Sequence, residues 1–152
     1  MDSADKAILG ILQRDSATPV GEIADSVGLS QTPCWRRIKK LEDEGVIARR
    51  VALADKSRLN LNLTAFISVK TARHTDAWLK NFADVIRRIP EIVEVHRMSG
   101  DVDYLMKVVA PDMAEFDRVY KRLISGAEFS DVTSTFSMEE IKSTTELPLD
   151  YV

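Results

Sequence analysis

The chain is nearly devoid of cysteine. Cys34 is the only one among 152 residues, so no internal disulfide framework can form and a reducing compartment is expected. Long apolar runs are also missing, and none approaches the roughly 18 residues of a membrane span. The opening MDSADKAILG carries two acids before its first lysine and lacks the basic start of a secretory signal. These absences lead to the expectation of a cytoplasmic protein with no membrane partner. Histidine is limited to His74 and His96, which share no familiar metal-ligand spacing with Cys34. No metal is expected, and His96, between Val95 and Arg97, reads as a residue on one face of a strand. A nucleophile elbow, a phosphate loop and a histidine cluster are all missing, so neither catalysis nor a cofactor is expected.

A general excess of positive charge is lacking too. The net charge is −3, which argues against indiscriminate nucleic-acid binding. The distribution is more informative than the sum. Residues 1–29 hold two bases against five acids, residues 30–50 hold six against three, and the remainder thirteen against sixteen. Positive charge is concentrated on one short segment, as expected where a single element meets phosphates.

What is present begins with a helical pattern. Ile8, Leu9, Ile11 and Leu12 lie close to helical spacing between Asp2 and Arg14, with Asp2 or Ser3 available as N-cap. Thr18 and Pro19 mark the start of a second helix over Val20–Val27, which Gly28 ends. Ser30 is placed to cap a third helix, with Pro33 tolerated in its first turn and Gly45 closing it. Cys34, Ile38 and Leu41 fall at i, i+4 and i+7 and should face a core. Three helices in about 45 residues, with a tight turn between the last two, form the frame of a helix-turn-helix.

In that frame the third helix lies in the major groove, and its early residues reach base edges. Ser30, Gln31, Thr32, Trp35, Arg36 and Arg37 occupy those positions. A glutamine can bond an adenine edge twice, an arginine a guanine edge, and a threonine methyl can touch thymine. Lys39, Lys40, Arg49 and Arg50 are better placed for phosphates. A charge run of this kind is often only a solvated helix face, but no acid interrupts it between Gln31 and Leu41. Trp35 has two readings, packing and DNA contact. Cys34 also has two, a redox switch and a small buried hydrophobe, and its helical phase favours the second.

Val46–Leu53 (VIARRVAL) has a β-like, basic pattern suggesting a wing or hinge strand, and residues 55–62 read as a linker or turn. Beyond it the periodicity predicts strands at Leu63–Thr71, Ile92–Met98, Tyr104–Ala110 and Val132–Ile141. Helices are predicted at Asp76–Ile89, stopped by Pro90, and at Ala114–Ile124. The order βαββαβ is a ferredoxin-like unit. The expected fold class is therefore α+β: a winged helix-turn-helix followed by a ferredoxin-like domain of the kind that pairs into dimeric α/β barrels. The expected domains are 1–50 for DNA binding, 51–62 as hinge, 63–142 for sensing and oligomerisation, and 143–152 as a polar tail.

Two stretches carry a family resemblance: Ala24–Ser30 (ADSVGLS) with Arg37–Ile47 (RIKKLEDEGVI), and Ser99–Tyr104 (SGDVDY) between the middle strands. Together they resemble the leucine-responsive/asparagine-responsive (Lrp/AsnC) transcription regulators over nearly the whole chain. Thr32–Arg37 and Ser143–Pro148 are similar to a cysteine-responsive subgroup of that family. The resemblance implies a sequence-specific regulator that binds double-stranded DNA at a roughly palindromic operator. It further implies homodimers assembling into tetramers, octamers or hexadecamers, and a free amino acid as effector.

An amino-acid zwitterion needs acceptors for its ammonium and donors for its carboxylate. The turn Gly100–Tyr104 offers Asp101 and Asp103 as acceptors, Gly100 permits close backbone approach, and Met98 adds apolar contact. The resemblance adds Ser134 and Thr135 as neighbours of the pocket. The simpler reading is a plain hairpin, since Gly-Asp sequences form turns without any ligand, and Asp103 could instead cap its own turn. Two functional alternatives remain: an architectural, nucleoid-like DNA binder, which the net acidity disfavours, and a small enzyme on a ferredoxin-like frame.

Overall fold

The computed structural model describes residues 1–152 as two compact units, Met1–Leu53 with Ile141–Val152, and Ala54–Glu140. The first contains α1 (Ser3–Arg14), α2 (Val20–Ser26) and α3 (Gln31–Asp43). Asp2 caps α1 by accepting the Asp5 N–H at 2.9 Å, while the Asp5 carboxylate accepts the Asp2 N–H at 3.2 Å. This reciprocal box satisfies two donors that a helix start leaves unpaired. The turn between α2 and α3 depends on Gly28, whose φ of +68° lies in the left-handed region. The Leu29 N–H then reaches back to the Ala24 carbonyl at 2.9 Å and closes α2. Ile8, Ile23, Ala24, Cys34, Ile38 and Leu41 pack into the core that this turn brings together.

Three local expectations are corrected here. Pro19, not Thr18, occupies the N-cap of α2, and the Thr18 hydroxyl donates instead to the Asp15 carbonyl at 2.9 Å. Ser30 sits at the N-cap of α3, but its side chain makes no capping hydrogen bond. Val46–Leu53 forms no strand, because its alternating pattern meets no strand of this unit with which to pair.

The second unit contains β1 (Leu63–Lys70), α4 (Asp76–Arg87), β2 (Ile92–Arg97), β3 (Tyr104–Ala110), α5 (Met113–Gly126) and β4 (Asp131–Phe136). The four strands form one antiparallel sheet in the order β2-β3-β1-β4. Alternation along β1 turns Ala65, Ile67 and Val69 toward the helices, where they join Tyr104, Met106 and Val108 of β3. Trp78 and Phe82 of α4 and Phe116, Val119 and Leu123 of α5 complete this core. The opposite sheet face carries Phe66, Ser68, Lys107, His96 and Thr135. A register shift between Ile92 and Glu94 places a bulge in β2. No helix is long and apolar enough to cross a membrane.

Candidate functional site

The exposed flank of α3 is set by what its other side buries. Cys34, Ile38 and Leu41 point into the core, which leaves Gln31, Thr32, Trp35, Arg36, Lys39 and Lys40 outside. Trp35 is 54% exposed, so the packing reading gives way to a surface aromatic beside the early helical positions. Pro33 lies in the first turn, where its missing N–H removes one of the donors that would have no helical partner. The first helical bond runs from the Cys34 N–H to the Ser30 carbonyl at 3.2 Å.

Side-chain pairing then divides the cations. Arg37 donates through Nη1 to Asp2 Oδ2 and Asp5 Oδ1, each at 2.7 Å. It ties the third helix to the start of the first, so its assignment as a base reader is corrected to a structural one. The Asp5 N–H and Arg37 hold the Asp2 carboxyl below its ordinary range, and Asp5 and Asp2 in turn raise Arg37. Lys39 pairs with Asp43 at 3.1 Å, and Lys40 lies 3.8 Å from Glu44. Arg50 bonds Glu42 at 3.0 Å and the Ser16 carbonyl at 3.1 Å. These exposed pairs are weak and can exchange for phosphates. Burial pushes the Cys34 thiol up and keeps it protonated, the opposite of what a reactive thiolate needs.

The turn between β2 and β3 is closed by the Met98 N–H donating to the Asp103 carbonyl at 2.8 Å. Gly100 there has φ +120°, which an L side chain rarely adopts. Met98, Gly100 and Asp101 are exposed. Asp103 is committed otherwise: its carboxylate accepts the Thr71 N–H at 2.8 Å and its own N–H donates to the Val69 carbonyl at 2.9 Å. It braces the turn against the end of β1, a contact with a distant strand rather than a cap on its own turn. Tyr104 begins β3 facing the helices, 7% exposed and 4.9 Å from the Phe82 ring. It is a core residue, which corrects its place in the effector set.

Ser134 and Thr135 diverge because neighbours on a strand face opposite ways. Ser134 pairs in register with the inward Ile67, and its hydroxyl is buried without a hydrogen-bond partner. Thr135 lies opposite Phe66 on the open face and donates to the Phe66 carbonyl at 3.3 Å. The two do not line one surface. His96 shares that open face, its ring 3.4 Å from Glu94, and Lys107 bonds the same carboxylate at 3.2 Å. Together they hold Glu94 below its ordinary range.

Sequence reasoning missed the Asp2–Asp5–Arg37 cluster. The acid pair three residues apart was a readable capping signal, but its bond to a residue 32 positions away was not.

A three-helix reading head followed by a separately cored βαββαβ unit defines a two-domain DNA-binding transcription regulator. Residues 1–48 match the winged helix-turn-helix DNA-binding family, and residues 64–147 match the Lrp/AsnC ligand binding domain. The chain belongs to the Lrp/AsnC family of regulators. It is 43% identical over 151 residues to the DNA-binding transcriptional activator DecR of Escherichia coli strain K12, covering 99% of each chain. A crystal structure of an AsnC family transcriptional regulator from Agrobacterium tumefaciens is 57% identical, with a TM-score of 0.95 over 99% of each chain. A Neisseria meningitidis transcriptional regulator solved in complex with L-Met is 36% identical, with a TM-score of 0.94 over 99% of this chain and 98% of that one.

Proposed function

We propose that this protein is a cytoplasmic, amino-acid-responsive regulator that binds a palindromic operator as a homodimer or a higher homo-oligomer, with no cofactor and no chemistry of its own. The observation that carries this reading is the L-Met complex of the Neisseria relative, whose chain matches this one over almost its full length. The exposed turn Met98–Asp101 supports it with an apolar side chain, a glycine open to close approach and a free carboxylate in sequence. Asp101 takes the effector's ammonium, and Asp103 holds the turn in place.

Calorimetry with each of the twenty amino acids tests the reading directly. Binding of at least one is expected, and Asp101→Ala should abolish its heat while leaving the thermal unfolding profile unchanged. Unaltered binding in Asp101→Ala would move the effector site elsewhere.

On the DNA side, footprinting beside the gene for this chain should show a protected site with two-fold symmetry and an affinity falling steeply with salt. Arg36→Ala should cost about 1–3 kcal/mol of discrimination at one base step. Equal weakening on every sequence would reassign Arg36 to a phosphate.

A further inference from the structure

The last twelve residues belong to the DNA-binding unit, although β4 and the segment after it belong to the other. The chain therefore passes between the two units twice, once after Leu53 and again after Glu140. The second passage is anchored at both ends. On the sensing side, the Ser137 N–H donates to the Thr64 carbonyl at 2.9 Å and Glu140 pairs with Lys56 at 3.2 Å. On the DNA-binding side, the side chain of Gln13 grips the backbone of Leu147. Its Oε1 accepts the Leu147 N–H at 2.7 Å, and its Nε2 donates to the Leu147 carbonyl at 3.2 Å.

Two further contacts fix the register. The Thr145 hydroxyl donates to the Gln13 carbonyl at 2.8 Å, one of the acceptors that the end of a helix leaves without a partner. Glu146 lies 3.6 Å from Arg14. Behind the clasp, Leu147 and Pro148 share a groove of about 870 Å³ with Leu9, Leu12 and Ile47. Only Ile141–Thr144 lie between the anchors at Glu140 and Thr145. A link of that length spans at most about 17 Å when fully extended, which sets an upper limit on how far the two anchors can separate.

We propose that Ile141–Val152 is a strap that caps α1 and couples the βαββαβ unit to the DNA-reading helices, with Gln13 as its clasp. A shift at β4 is passed along the strap to α1, and through Arg37 on Asp2 and Asp5 to α3. The coupling rests on the reading that the βαββαβ unit binds an amino acid, whereas the clasp does not.

The experiment compares the full-length chain with Gln13→Ala, Gln13→Glu and a chain ending at Ser143, using L-methionine as the probe. In the wild type the Leu147 amide should exchange at least about tenfold more slowly than in a free peptide. Gln13→Ala should abolish that protection, and Gln13→Glu, which keeps the acceptor, should retain it. L-methionine should bind Gln13→Ala and the shortened chain with unchanged heat. The shift it produces in operator affinity, about 5–150-fold for an ordinary allosteric coupling, should collapse toward unity in both. A Leu147 amide exchanging at the free-peptide rate in the wild type overturns the clasp, and a full affinity shift in both variants overturns the coupling. If L-methionine gives neither heat nor shift in the wild type, the effector reading and the coupling fail for this probe, while the Leu147 amide still decides the clasp.

Discussion

Leu41→Ala is expected to disable operator binding without touching a single DNA-facing group. Leu41 is 1% exposed and shares a core with Ile8 of α1 and Ile23 of α2. Deleting a buried leucine to alanine costs about 2–5 kcal/mol, because the lost transfer energy is compounded by a cavity. A small domain has only about 5–15 kcal/mol of stability in total, and this core contains few large side chains over which to spread the loss. The melting transition of the DNA-binding unit should fall by roughly 10–30 °C. The sensing unit has its own core and should melt where it did before. Calorimetric scanning with a gel-shift at two temperatures would show both effects. One unchanged transition with intact DNA binding would mean that Leu41 does not anchor the reading helix.

Trp78→Ala should produce the complementary loss. Trp78 stacks on Phe82 at 5.0 Å, meets the edge of Phe129 at 6.1 Å, and donates its indole N–H to the Glu128 carbonyl at 2.9 Å. Truncating a buried aromatic of this size costs about 3–5 kcal/mol, and it also leaves the Glu128 carbonyl without that donor. The βαββαβ unit should lose its near-ultraviolet dichroism and its effector response. Trp78→Phe separates the contributions, since it keeps most of the stacking and should cost only about 1 kcal/mol for the hydrogen bond. Equal losses in the two variants would show that the indole bond, not the aromatic packing, holds α4 in place.

The two cores were legible in the sequence because both rest on local periodicity. Cys34, Ile38 and Leu41 announce the buried side of α3, and alternation along Leu63–Lys70 announces the covered face of β1. Gly28 and Gly45 were readable as helix ends, since only a residue tolerant of positive φ closes a helix that way at little cost. What escaped depends on partners distant in the chain. Arg37 looks like any other cation in a basic run until Asp2 and Asp5 are placed beside it. Tyr104 stands at the start of its strand, but at that first position the adjoining turn does not reveal which face it takes, and one position decides it. Leu147 is held through its backbone atoms, and these leave no mark on its identity. Val46–Leu53 shows the reverse error, for an alternating pattern states what a strand would bury but not whether a neighbour exists.

The fixing of Arg37 by two acids also bears on how such a protein could change its targets over generations. A substitution at Arg37 disturbs the joint between the first and third helices, so a lineage exploring new operators loses folding along with binding there. Gln31, Thr32, Trp35 and Arg36 have no such duty, and each is open to solvent. Operator preference can therefore drift along one flank of the helix while the opposite flank keeps its fold. The protein separates the part of its vocabulary that is free to evolve from the part that must stay fixed.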